Sequence, residues 1–347
     1  MKARALALAA TLLVGGGLLA GCGSTSSSTG ASSTSGSKAA QYKVGLVTDT
    51  GGLNDHGFNH LAYEGLLQAK NQLGVTVSVV QSQTESDYVP FLTNYAKQGY
   101  NLVIAVGFLM AQAVQQVSHE FPHTHFMIID DEVNGPNVTS SLFETQQCGY
   151  LVGELAGLIQ KDHALPNINN DNTLGVVGGM SIPPVNTYIA GFYAGVHAVD
   201  PSAKILLKYT NDFNNPNNGQ VFAQSEIAQH ADIIFQVAGG SGLGVITAAQ
   251  QAHVYAIGVD ADQNYLAPNT VITSAEKGVN VATFDTIKEG LDGTLKAGPQ
   301  YFSLANNGVG MAPPISAIPR SIVNQVLQSE KEIISGKIVP PTNIPNS

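Results

Sequence analysis

Short apolar runs alternate with longer segments of helical periodicity from about residue 42 onward. Runs such as Val44–Val47 and Phe126–Ile129 are bounded by glycines and polar residues, which indicates buried strands. The segment Phe58–Leu73 repeats apolar residues every three or four positions, which predicts a helix, and Asp55 precedes it as a candidate cap. This alternation is typical of α/β proteins.

The same alternation continues to the end of the chain. Further strands are predicted at Val75–Val80, Leu102–Val106, Leu174–Val177, Lys204–Leu207, Ile233–Val237 and Val254–Val259, and helices at Tyr88–Lys97, Ala111–His119, Val185–Ala198, Gly219–Gln229, Leu243–Gln251, Val279–Leu295 and Ser321–Ser335. Strands buried on both sides and separated by helices indicate parallel sheets covered on both faces. The number of units exceeds one small sheet, so we expect two doubly wound, Rossmann-like lobes.

We expect the N-terminal lobe to contain residues 42–144 and about 274–303. The C-terminal lobe would then contain residues 145–273 and about 304–347. The last segment would cross back and complete both lobes.

The first 21 residues have the pattern of a secretory signal. Lys2 and Arg4 precede an apolar run that is short for a membrane span of ~20 residues. The run ends in Leu-Ala-Gly-Cys22, which resembles a bacterial lipobox, and residues 22–41 then form a tether rich in Ser, Thr and Gly. We therefore expect Cys22 to be lipidated and to anchor the protein on the extracytoplasmic face of the cell membrane. The alternative is a signal peptide with an incidental cysteine.

Charge and composition exclude several classes of protein. The chain of 347 residues carries 15 Lys+Arg against 25 Asp+Glu, a net charge of −10, which argues against a nucleic-acid binder. At 44% hydrophobic and 12% charged residues it is not a disordered chain. Two cysteines exclude a disulfide scaffold and a cysteine-rich metal site.

Acids and glycines collect where the predicted strands end. Asp49, Asp130 and Asp260 each follow an apolar strand, and Gly240 lies in a glycine-rich run after another. Ligands of open α/β sheets bind outside the carboxyl ends of the strands, so this pattern predicts a polar small-molecule cleft between the lobes. The alternative is that these residues serve turns and helix caps.

Signatures of catalysis are missing from the sequence. It contains neither a P-loop nor a G-x-S-x-G elbow. The run Asp260–Asn264 begins like a calcium loop, but Tyr265 stands where the turn requires glycine. His56, His60 and Glu64 are spaced by four and could hold zinc, although His56 precedes the predicted helix. We predict a binding protein without a metal or a cofactor.

Several motifs resemble, in order, those of the basic membrane protein family. They are Lys43–Asp49, Asn54–Asn59, Ile129–Asp130, Gly191–Gly195, Gly258–Gln263, Thr273–Lys277 and Ile334–Pro340. This family consists of substrate-binding lipoproteins of ABC transporters, several of which bind purine nucleosides. The resemblance implies the type I periplasmic-binding-protein architecture and a non-enzymatic role.

The resemblance also implies where a nucleoside base would bind. Phe58 and Phe192 match two aromatic rings, one from each lobe, that enclose the base. Asp49 and Asp130 match acids that accept hydrogen bonds from the base, with Asn59 assisting. Stacking of a flat base on aromatic rings contributes roughly 1–3 kcal/mol in nucleic-acid binders.

The remaining implied contacts concern the ribose. Asp260 and Lys277 match the ribose-binding pair, and Gly240 would allow its backbone to approach the sugar. The implied partners are adenosine, guanosine or inosine and an ABC transporter permease, with the protein a monomer. Open alternatives are a free sugar or another small polar metabolite as ligand, a nucleoside-processing enzyme, and a ligand sensor.

Overall fold

The computed structural model describes residues 38–345. The predicted signal, Cys22 and the tether up to residue 37 lie outside the described residues. Within residues 38–345, no helix combines the length and the apolar character that crossing a membrane requires.

The strands of the described chain form two sheets. In chain order they are β1 (Lys43–Thr48), β2 (Thr76–Gln81), β3 (Leu102–Ala105), β4 (His125–Ile129), β5 (Val138–Phe143), β6 (Thr173–Gly178), β7 (Lys204–Tyr209), β8 (Ala231–Val237), β9 (Tyr255–Asp260), β10 (Val271–Lys277), β11 (Gly298–Phe302) and β12 (Val309–Met311). The first sheet has the order β11-β5-β4-β3-β1-β2 and the second β12-β10-β9-β8-β6-β7. All neighbours pair in parallel except β10 and β12, which are antiparallel.

Helices cover the sheets and connect their strands. In chain order they are α1 (Lys38–Gln41), α2 (Phe58–Leu73), α3 (Tyr88–Lys97), α4 (Ala111–Glu120), α5 (Thr145–Asp162), α6 (Pro183–Val199), α7 (Pro216–Ile227), α8 (Gly242–Ala252), α9 (Val279–Asp292) and α10 (Arg320–Ile334). Each sheet has its own large core of buried apolar side chains. Strands such as β3 and β8 are buried along their whole length, as parallel strands between helices must be. These features confirm the predicted α/β fold of two parallel-sheet lobes.

The strands β5, β10, β11 and β12 and the helices α1 and α5 are absent from the sequence-based prediction. Helix α5 is buried along nearly its whole length, so it has no polar face to produce an amphipathic pattern. Its glycines Gly149 and Gly153 face the backbone of α6, and Gly191 and Gly195 of α6 face the backbone of α5. A Cβ at any of these four positions would collide with the other helix, so glycine permits this close packing.

The chain passes between the lobes three times. It crosses after β5 to α5, after β10 to α9, and after β11 to β12. Helix α9 packs its buried residues Val279, Ala282 and Ile287 into the core of the first lobe. The carboxyl ends of β1, β4, β8 and β9 consequently open towards a common cavity, where the candidate site lies.

Candidate ligand-binding site

Loops from both lobes converge on one cavity. Its lining residues are Asp49, Gly51, Asp55, Phe58, Asn59, Gly107, Phe108, Leu109, Asp130, Ile182, Pro184, Tyr188, Phe213, Val237, Gly239, Asp260 and Lys277. Its empty space, counted with the open mouth, is about 560 Å³.

Most residues predicted from the sequence meet in this cavity. The predicted residues that line it are Asp49, Phe58, Asn59, Asp130, Asp260 and Lys277. The other two, Phe192 and Gly240, are not among its lining residues. The strand-end acids thus come together from both sheets, as the parallel topology requires.

Asp49 follows β1 and lines the cavity. Its Oδ1 accepts hydrogen bonds from the backbone N–H of Gly51 at 2.8 Å and from Nδ2 of Asn59 at 2.7 Å. A Cβ at Gly107 would lie 3.2 Å from Oδ2, a tight contact that the glycine avoids. Burial raises the pKa of Asp49 to about 6. The group therefore titrates close to neutral pH.

Asp55 organises the N-terminus of α2. Its carboxylate accepts hydrogen bonds from the backbone N–H groups of Gly57, Asn59 and His60, at 2.8–3.1 Å. These groups belong to the first turn of a helix, which lacks internal partners. The sequence indicated this capping role but not that Asp55 lines the cavity. Nδ2 of Asn59 donates to both Asp49 and Asp55, so this amide orients two carboxylates.

Asp130 and Lys277 form a buried ion pair across the lobes. Asp130 follows β4 of the first sheet, and Lys277 ends β10 of the second. The Lys277 ammonium lies 4.6 Å from the ring centre of Phe58 and 5.0 Å from that of Phe143. It also lies 5.9 Å from the ring centre of Tyr188. Carboxylate and aromatic faces together compensate for the loss of water around the cation.

Asp260 ends β9 in a left-handed backbone conformation, with φ 64°. The hydroxyl of Tyr188 donates a hydrogen bond to its Oδ1 at 3.1 Å. Burial raises the pKa of Asp260 to about 7, and the charge of Lys277 opposes this rise. Tyr188 is 2% exposed, and its pKa lies well above the ordinary value because of burial, so the phenol stays protonated and can donate.

Phe192 does not reach the cavity, contrary to the expectation from the sequence. It is fully buried in the core of the second lobe, where its ring stacks on Phe235 with centres 5.1 Å apart. Tyr188 lies one turn nearer to the N-terminus of α6 and occupies the cavity instead. The aromatic ring that the second lobe presents alongside it is Phe213, in the loop between β7 and α7.

Gly240 lies beside the cavity, and its neighbour Gly239 lines it. Both belong to a tight turn that follows β8. Gly239 has φ 53°, a left-handed conformation that glycine adopts without strain. Of these two glycines, the one that lines the cavity is therefore Gly239 and not the predicted Gly240.

The histidines of the candidate zinc pattern have other partners. Nε2 of His60 lies 3.3 Å from Glu64, while Nδ1 of His56 shares a 2.8 Å hydrogen bond with the hydroxyl of Tyr265. Among residues 38–345, no group of three or more His, Cys, Asp or Glu side chains is arranged to hold a metal ion.

The fold and the cavity define the class of two-lobed α/β proteins that have a cavity lined by residues of both lobes. Residues 42–343 match the family model of Bmp, described as ABC transporter substrate-binding protein PnrA-like. The chain therefore belongs to this family, which has a non-enzymatic binding role in ABC transport.

Named relatives agree with this assignment. The ABC transporter nucleoside-binding protein BmpA of Lactococcus lactis is 30% identical, with 99% of this chain and 100% of the relative covered. The uncharacterized lipoprotein PH1714 of Pyrococcus horikoshii is 33% identical over 89% of this chain and 77% of its own length. A crystal structure of an ABC transporter solute-binding protein from Aeropyrum pernix superimposes with a TM-score of 0.80 at 26% identity, covering 86% and 94% of the chains.

Proposed function

We propose that the protein captures a purine nucleoside in the interlobe cavity and delivers it to the permease of an ABC transporter. The main support is that the cavity combines aromatic rings with carboxylates that have one oxygen without a hydrogen bond from the protein. Phe58 and Phe213 enter the cavity from opposite lobes. Asp49 and Asp260 each use Oδ1 in a protein hydrogen bond, and no hydrogen bond from the described residues reaches their Oδ2 atoms.

The rings suit a flat heteroaromatic base. Stacking on both faces of a purine adds to the burial of its area, and base–aromatic stacking contributes roughly 1–3 kcal/mol. In this proposal Phe213 takes the role that the sequence had suggested for Phe192. Asp49 accepts hydrogen bonds from N–H groups of the base, while Asn59 holds the carboxylate in place.

The cluster around Lys277 suits a sugar with neighbouring hydroxyls. Ionised Asp260 can accept hydrogen bonds from two hydroxyls, and the ammonium can donate hydrogen bonds to hydroxyl oxygens. Asp130 pairs with Lys277, so we assign Asp130 to the ribose end rather than to the base end. Gly239 takes the place of Gly240 next to the sugar.

The name of the Lactococcus lactis relative, a nucleoside-binding protein, supports this ligand class. We further propose that Cys22 carries the lipid anchor at the extracytoplasmic face, which the lipoprotein name of the Pyrococcus horikoshii relative supports. The working unit would be a monomer that meets its permease in the membrane.

A free sugar or another small polar metabolite is the second candidate. The observation in its favour is that the Asp130–Lys277–Asp260 cluster would also bind a polyol without a base.

Competition calorimetry on the full chain distinguishes the two candidates. The titrants are adenosine, guanosine, inosine, adenine and ribose. We expect at least one nucleoside to bind at least a hundredfold more tightly than ribose or adenine alone, because only a nucleoside occupies both ends of the cavity. Ribose binding as tight as that of every nucleoside would favour the sugar and contradict the proposal.

A further inference from the structure

The second lobe holds His56 of the first lobe at two points. Nε2 of Gln263 donates a hydrogen bond to the carbonyl oxygen of His56 at 3.0 Å. The hydroxyl of Tyr265 shares a 2.8 Å hydrogen bond with Nδ1 of the His56 ring. His56 has φ 52°, an uncommon conformation for a side-chain-bearing residue. None of these three residues lines the ligand cavity.

Gln263 is also tied into the second lobe by its other amide atom. Its Oε1 accepts hydrogen bonds from Nε2 of Gln236 at 2.7 Å and from the backbone N–H of Val259 at 3.1 Å. Oε1 of Gln236 accepts in turn from the backbone N–H of Ala238 at 3.1 Å. Both glutamines are buried, with exposures of 0% and 1%. Buried amides whose oxygen and nitrogen both take part in hydrogen bonds are expensive to disturb.

These bonds end next to residues of the candidate site. Val259 immediately precedes Asp260, Ala238 immediately precedes Gly239, and His56 lies two residues before Phe58. A primary amide suits this place because it donates to one lobe while it accepts twice in the other. The two glutamines thus connect three loops of the cavity without lining it.

We propose that Gln236, Gln263 and Tyr265 hold His56, and we call these four residues the clasp. The clasp favours closure of the lobes and positions Asp260 and Gly239. Gln263 and Gln236 are positioning residues, and Tyr265 is an exposed second point of attachment. The inference rests on the proposed function, since it concerns closure around the ligand of that same cavity.

The test compares two variants with matched controls in the full chain. Gln263→Glu keeps the acceptor but, when ionised, loses the hydrogen bond donated to His56. Its control is Gln229→Glu, an exposed glutamine outside the clasp. Tyr265→Phe removes only the hydroxyl and its hydrogen bond to the His56 ring, at a side chain that is 61% exposed. Its control is Tyr301→Phe, at a side chain that is 58% exposed. If Gln263→Glu fails to fold, Tyr265→Phe still tests the clasp, because it changes no buried side chain.

The first readout is the dissociation rate of guanosine by stopped flow. We expect about threefold faster release from Tyr265→Phe and about tenfold from Gln263→Glu at pH 8, in line with the net worth of one hydrogen bond. At pH 5.5 a protonated carboxyl donates again, so the ratio to wild type should fall towards one. Wild type and controls are measured at both pH values because His56, Asp260 and Asp262 surround the clasp.

The second readout is hydrogen exchange of residues 50–60 in the ligand-free protein. Faster exchange there in variants changed only in the second lobe would support the clasp, whereas a local packing defect would stay in the second lobe. Wild-type release rates and unchanged exchange in both variants would overturn it. If wild-type protein binds no nucleoside, the proposed function fails, and the exchange measurement still decides the clasp.

Discussion

Replacing Asp260 by Asn should change stability and affinity in opposite directions. The carboxylate is buried, and burial raises its pKa from 3.8 to about 7 in the folded protein. Between these values the folded state binds more protons than the unfolded state, so stability falls as the pH rises. Well above pH 7 the carboxylate is ionised, and the ligand-free protein bears the full free-energy cost of burying its charge. Asparagine has the same shape and carries no charge, which removes this penalty.

The structure sets the size of both effects. At about 1.36 kcal/mol for each pH unit, the rise in the pKa of Asp260 corresponds to a gain of up to about 4 kcal/mol in the free energy of unfolding at pH 8. Tyr188 can still donate to the amide oxygen, so the substitution leaves no orphaned phenol. A bound ribose, however, loses a charged acceptor, which costs about 1.5–3 kcal/mol and weakens binding about 10- to 100-fold.

Urea unfolding without ligand and calorimetric titration with a nucleoside measure the two quantities at pH 8. The control is Asp285→Asn on an exposed part of α9, which changes the same charge outside the cavity. We expect the control to change neither quantity appreciably. A less stable Asp260→Asn protein, or one with wild-type affinity, would refute this account of the site.

Three further predictions follow from the same geometry. Phe213→Ala should weaken nucleoside binding about 10- to 100-fold in calorimetry, because one stacking face is lost; unchanged affinity would remove Phe213 from the base site. Phe192→Ala should lower the free energy of unfolding by about 3–5 kcal/mol in urea titrations, as for other buried phenylalanines. The affinity of its folded fraction should stay within about twofold of wild type, and a selective loss of binding would restore Phe192 to the site. Nucleoside affinity should rise from pH 5 to pH 8, because burial raises the pKa of Asp49 to about 6 and that of Asp260 to about 7, and both must be ionised to accept. Calorimetry in two buffers should show proton release near pH 6, and a pH-independent affinity would contradict the acceptor roles.

The sequence predicted the elements with clear periodicity well. Helix α2 begins and ends where its apolar spacing indicates. Two of the missed elements, α5 and β11, lack such a pattern in their sequences: α5 is buried almost all round, and β11, with the sequence GPQYF, lies at a sheet edge. Hydrophobic periodicity appears in a sequence when apolar residues face the core and polar residues face solvent. Helix α5 has almost no solvent face, and in β11 the exposed positions are Pro299 and Tyr301 while Gln300 is half-buried.

The site was predictable only where the topology fixes it. A strand ends at a known edge of its sheet, so Asp49, Asp130 and Asp260 could be placed from the sequence. To place an aromatic side chain of a helix, one must also know how far along the helix the cavity lies. On α6, Tyr188 lines the cavity, whereas Phe192 lies one turn further from it. Phe213 lies in a loop without periodicity, so no pattern in the sequence pointed to it.

The most direct test of the central claim is native mass spectrometry of the purified full chain, followed by denaturing release and identification of the bound compound. We predict a co-purified purine nucleoside, or failing retention, thermal stabilisation by at least one of adenosine, guanosine and inosine. Release of a sugar or another metabolite, or an empty protein that no nucleoside stabilises, would contradict the proposed ligand.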